Sequence, residues 1–137
     1  MKEITVLLVL AFCLTIVGCK RIYGPVEEVN AFADEKEEVL SQMSKTLEAN
    51  PTEAGVDEAR KIFEAKKESL KAKRDAINAA PQGINGDWLS LLNKTEARHD
   101  EMLSAIATKL RVACYAEQCQ NKWNALEKDF KETVKRY

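Results

Sequence analysis

Three residues in the second half of the chain are of types that could do chemistry: Cys114, Cys119 and His99. The two cysteines bracket four residues in "CYAEQC". That spacing is not the C-x2-C of thiol oxidoreductases. A zinc site would need further ligands, and the region offers one histidine and no third cysteine. In an exported chain such a pair is expected to be oxidised to a structural disulfide. His99 falls between Thr95 and Met102 on the core-side half of a predicted helix, where a lone histidine packs at a boundary more often than it acts as a base. "GINGDW" has too few glycines, and no following lysine, for a phosphate-binding loop. No serine elbow occurs, and the many carboxylates spread over solvated faces single out no catalytic pair. "NKT" at Asn93 matches a glycosylation acceptor but lies mid-helix. The residues imply no catalytic group, no metal and no cofactor.

The elements that must position these residues are helices. Five glycines and three prolines in 137 residues suit long helices better than strands and tight turns. Pro25 opens the first helix in a first-turn position, with Glu27 and Glu28 near its positive end. Val29, Phe32, Val39, Leu40, Met43 and Leu47 then recur at helical spacing until Asn50 and Pro51 stop it. Thr52 is placed to cap a second helix carrying Val56, Ala59, Ile62, Phe63, Leu70 and Ile77, which ends before Pro81. "PQGING" reads as a loop. Asp87 is the expected cap of a third helix containing Trp88, Leu92, Met102, Ile106 and Leu110, and a last segment carries Trp123, Leu126, Phe130 and Val134. Acids crowd residues 27–38 and bases crowd residues 60–74. Folding back at Pro51 sets these blocks side by side, which favours an antiparallel hairpin, although each exposed pair contributes only about 0–1 kcal/mol.

The cysteines decide between two all-α architectures. Trp88, Thr95, Met102, Lys109, Ala116, Trp123, Phe130 and Tyr137 repeat every seven residues, and no Gly or Pro interrupts "RVACYAEQCQNKW". A continuous third helix is thus allowed, giving three helices with a long C-terminal one. On it, however, the Cα atoms of Cys114 and Cys119 would stand about 8–9 Å apart, beyond the roughly 7 Å that a disulfide spans. A disulfide requires a break at "YAEQ". The expectation is therefore a small antiparallel bundle of four helices of about 25, 28, 27 and 18 residues.

The N-terminus bears on location. "MKEITVLLVLAFCLTIVGC" has a charged start and an apolar run from Ile4 to Val17. That run is shorter than the roughly 20 residues needed to span a bilayer and reads as a secretory signal. Its ending, "IVGC", with Ile16 at −3, Val17 at −2, Gly18 at −1 and then Cys19, resembles the lipobox of bacterial lipoproteins. The resemblance covers the first 19 residues only. It implies cleavage before Cys19 and acylation of Cys19. Two or more acyl chains hold a protein stably at a membrane without a spanning helix. The expected organisation is a signal peptide at 1–18, a lipidated tether at 19–24 and a helical domain at 25–137. Lys20 after the cysteine implies, by the same resemblance and in a Gram-negative host, export to the outer membrane, on its periplasmic face or the cell surface.

Two function classes follow. One is a membrane-tethered, non-enzymatic binding module with an envelope protein as partner. The tail "CYAEQCQNKWNAL" resembles that of short entry-exclusion lipoproteins of conjugative elements, but departs from them in cysteine spacing and chain length and assigns no family to the domain. The other class is a small periplasmic enzyme or enzyme inhibitor, which a cleft lined by His99 and a nearby carboxylate would favour. Trp88 and Trp123 are expected as core or boundary residues, with exposed partner-binding anchors as the weaker alternative. A net charge of −1 gives no field for nucleic acid.

Overall fold

The computed structural model describes residues 24–83 and 86–136. Four helices fill them: α1 (Val26–Ala49), α2 (Glu53–Ala79), α3 (Asp87–Ala113) and α4 (Glu117–Val134). Their lengths are 24, 27, 27 and 18 residues, so the four-helix architecture holds and the long C-terminal helix does not form. The signal segment and the tether up to residue 23 lie outside the described residues.

Local chemistry sets the boundaries. Thr52 caps α2 as its spacing predicts, its hydroxyl oxygen accepting from the Gly55 N–H at 3.3 Å. Two expected starts shift by one residue. Gly86 is the N-cap of α3 and Asp87 its first helical residue, where the acid still complements the helix dipole. Pro25 likewise sits at the N-cap of α1 rather than inside its first turn.

Polar contacts between helices record how they are placed. Glu35 of α1 meets Lys73 of α2 at 2.8 Å and accepts from the Ser69 hydroxyl at 2.8 Å, with Lys66 at 3.7 Å. Burial alone would raise this carboxyl, but the bonds from Lys73 and Ser69 and the charge of Lys66 outweigh it and hold Glu35 below its ordinary pKa. These are the acidic and basic blocks facing each other across the α1–α2 hairpin. Glu37 pairs with Arg98 at 2.6 Å, and Glu48 with Lys109. Because partner numbers rise together, α1 and α3 run parallel. Asp57 with Lys122 at 2.7 Å and Lys67 with Asp129 at 2.9 Å show the same for α2 and α4.

The bundle is therefore two antiparallel hairpins laid together with parallel helices adjacent. α2 and α3 lie on a diagonal, and the connection between them crosses one end of the bundle. It passes over the start of α1, where Gly24 lies against Trp88 and Gln82. The opposite end carries the Asn50–Thr52 turn and the α3–α4 corner.

Val29, Phe32, Leu40, Met43, Phe63, Leu70, Leu92, Leu103, Leu126 and Phe130 form the core. Phe63 and Phe130 join α2 to α4 with ring centroids 5.6 Å apart. Among the described residues, no helix is long and apolar enough to cross a membrane.

Candidate functional site

The α3–α4 corner is built around the disulfide. Cys114 and Cys119 are bonded, with Cα atoms 6.3 Å apart. The backbone leaves helical geometry over Cys114–Ala116, one residue earlier than the break expected at "YAEQ". Gln120 completes the corner, its amide donating to the carbonyls of Cys114 at 2.7 Å and Leu110 at 3.1 Å. The Cys114 carbonyl lies past the end of α3 and has no helical donor, whereas the Leu110 carbonyl also accepts from the Cys114 N–H at 2.8 Å. Beside the buried disulfide, Val112 and Tyr115 are exposed, Tyr115 by 82%. A shallow groove of about 260 Å³ near this end runs between α1 and α3, over Leu47, Pro51, Ile106, Leu110 and Ala113.

Trp88 and Trp123 do not present rings to a partner. They are 8% and 1% exposed, because both belong to the apolar stripes that form the core. The weaker expectation of exposed aromatic anchors is corrected accordingly. Cys19 lies outside the described residues.

A second concavity lies further along the bundle. α4 has 18 residues against 24 in α1, a shortfall of about 9 Å at 1.5 Å per residue. Where α4 stops, the space between α1, α3 and α4 opens as a cleft of about 350 Å³. Leu103, Phe130 and Val134 supply apolar walls. Lys36 from α1 and His99 from α3 line its inner part, 2% and 4% exposed. Glu96, Asp100, Lys131, Lys135 and Arg136 complete the polar lining, with Lys131 paired to Glu127 at 2.6 Å.

The electrostatics of the cleft are uneven. Arg136 binds Glu96 through its Nε at 3.0 Å and a terminal nitrogen at 3.4 Å, which neutralises both. Lys36 has no hydrogen bond or ion pair among the described residues. Its ammonium stands 4.4 Å from the Phe32 ring centroid. Burial pushes its pKa down to about 8, with the attraction of Glu96 and Asp100 and the repulsion of Arg136 acting around it. At neutral pH Lys36 is still a cation. His99 Nδ1 is buried without a hydrogen-bond partner. Burial, then the charges of Lys36 and Arg98, push the imidazole down to about 4, so it is neutral at pH 7.

The sequence pointed to His99 and missed Lys36, which reads as one base within an acidic block. One signal was available. Val29, Phe32, Lys36, Leu40, Met43 and Leu47 all fall on one face of α1, so Lys36 occupies a core position.

Among the described residues, no group of three His, Cys, Asp or Glu side chains is placed to hold a metal ion. No family model matches the chain, and searches of curated proteins and of solved structures find no match either.

Proposed function

We propose that the chain is a lipid-anchored protein of the cell envelope and acts as a non-enzymatic binding module. In this reading residues 1–18 are removed, Cys19 carries the acyl chains, and residues 19–24 tether the bundle. The observation that carries it is the lipobox-type "IVGC" a few residues before a folded bundle. The bundle's geometry fits such a tether. The chain enters α1 at Gly24, and α1 has 24 residues, so the disulfide corner lies about 36 Å along the helix axis from the entry point. An anchored bundle would hold exposed Val112 and Tyr115 at the end away from the tether.

The test is metabolic labelling with an alkyne fatty acid, followed by membrane fractionation and crosslinking through residue 115. The reading expects label and membrane retention in the wild type, loss of both in Cys19→Ser, and one envelope protein crosslinked at the corner. Label on Cys19→Ser, or a wild-type protein without label, would sink the anchor.

A small envelope enzyme or inhibitor is the second reading, and one observation favours it: His99 lines a cleft together with Glu96 and Asp100. The chemistry there is poor for turnover. A histidine held near 4 is a weak base, and Glu96 is engaged by Arg136. The buried amine lining this cleft is that of Lys36, which is protonated at pH 7 with its pKa near 8.

A further inference from the structure

We infer that the cleft between α1, α3 and α4 binds a small monocarboxylate with a short apolar body, its carboxylate paired with Lys36 and accepting a hydrogen bond from His99. Two largely buried residues, Lys36 and His99, line one concavity, and neither bonds to another described residue. Lys36 is 2% exposed and has no anionic partner within hydrogen-bond reach among the described residues. A buried cation without a counter-charge is costly, and ordinary folded chains pair it. His99 is 4% exposed, and its Nδ1 has no partner. Nδ1 is sealed from the cleft, so a neutral imidazole would carry its one N–H on Nε2 and donate it from there. An anion in the cleft would pair with Lys36 and accept from His99 at once.

The surroundings select the class of anion. In the inner part of the cleft one ammonium and one imidazole N–H match the two oxygens of a carboxylate, while Lys131 is held by Glu127 and Lys135 is exposed. A phosphate dianion would want more donors, and Glu96 and Asp100 on the same walls disfavour a second negative charge. Arg136 is no substitute donor, because Glu96 already holds it. Leu103, Phe130 and Val134 form an apolar wall suited to a short hydrocarbon body. A volume of about 350 Å³ lies at the small end of ligand sites and accommodates such a molecule. This inference goes beyond the proposed envelope role and does not depend on the anchor.

The test is a binding titration of the full chain, purified in mild detergent, with 3-methylbutanoate followed by NMR. Its neutral isostere, 3-methylbutanamide, and inorganic phosphate serve as the other arms. The expected result is saturable binding of the carboxylate that shifts resonances of residues 36, 99 and 103. The amide and phosphate should bind at least tenfold more weakly. Lys36→Met should weaken carboxylate binding at least tenfold while the variant melts no lower than wild type, which separates a lost site from a lost fold. His99→Leu should weaken it severalfold. Absence of saturable binding by the folded wild type would overturn the inference. So would undiminished binding by Lys36→Met, equal binding of the amide, or preference for phosphate. None of these outcomes bears on acylation of Cys19.

Discussion

The ammonium of Lys36 stands 4.4 Å from the ring centroid of Phe32, one turn earlier on the same helix, and both side chains are buried in the bundle. The aromatic face offsets part of the desolvation of the cation but does not replace a counter-ion. Lys36→Met keeps an unbranched side chain, one atom shorter, and removes the buried charge. The expected outcome is a bundle more stable than wild type at pH 7, by about 1–3 kcal/mol. The sign of the pH dependence follows from the direction of the shift. A lysine held at about 8 in the folded state and 10.5 unfolded carries fewer protons when folded between those values. Wild-type stability therefore gains about 3 kcal/mol as pH rises from 8 to 10.5. Urea unfolding at pH 7 and pH 10 checks this: the difference between variant and wild type should shrink as pH rises.

His99 makes the matching prediction at acid pH. Its folded pKa of about 4 lies below the ordinary 6.5, so the unfolded chain binds the extra proton in that window. Stability from His99 is intact above pH 6.5 and is lost as pH falls from 6.5 to 4, a loss of about 3 kcal/mol. Lys36, Arg98 and Glu96 surround the ring electrostatically, and burial is the largest cause. His99→Leu should flatten the melting temperature across this window, leaving the carboxylates such as Glu35 to destabilise the bundle only at lower pH. Thermal melts of both proteins from pH 7 to pH 4 decide it. Parallel curves would contradict the burial of His99.

Which parts of this structure are legible in the sequence depends on whether they rest on neighbours along the chain. Asn50, Pro51 and Thr52 announce the first turn because capping and helix-stopping are local. Cys114 and Cys119 announce the second corner because a disulfide sets a distance that a helix cannot meet. Opposite charge blocks disclose the α1–α2 hairpin, and Glu35 with Lys66 and Lys73 shows them meeting. The parallel placement of α1 beside α3 is not local. It rests on side-chain packing and on pairs such as Glu37–Arg98, 61 residues apart, which no periodicity displays. The cleft is hidden for the same reason. It exists because α4 ends early relative to α1, and Lys36 becomes a core residue only once α3 and α4 close over its face.

The α3–α4 corner combines a covalent and a hydrogen-bonded restraint, and they are separable. Replacing both Cys114 and Cys119 by Ala removes a short loop closure, with an expected loss of about 2 kcal/mol. Gln120→Leu keeps the disulfide but takes the donor from the Cys114 carbonyl, an expected loss of about 1 kcal/mol. The losses should couple when combined, because both act on one corner. Differential scanning calorimetry of the variants measures this. In addition, wild-type protein should resist alkylation at both cysteines until it is reduced.

Gly24 carries the last prediction, at the point where the chain enters the bundle. Its φ is +69°, a left-handed conformation that glycine adopts freely and alanine does not. A Cβ there would also lie 2.5 Å from Cδ1 of Trp88 and 2.9 Å from the Gln82 carbonyl oxygen. Neither neighbour yields easily. The indole is 8% exposed within the core, and the carbonyl belongs to the connection that crosses from α2 to α3. Gly24→Ala should therefore cost about 2 kcal/mol or more, from backbone strain and forced displacement together. Gly86→Ala is the control: its φ is −76°, a Cβ there meets nothing within 4 Å, and the expected loss is under about 1 kcal/mol. Urea unfolding followed by tryptophan fluorescence reads both variants. A Gly24→Ala protein as stable as the control would mean that the entering chain does not pack under Trp88, and the end of the bundle next to the tether would then have to be rebuilt.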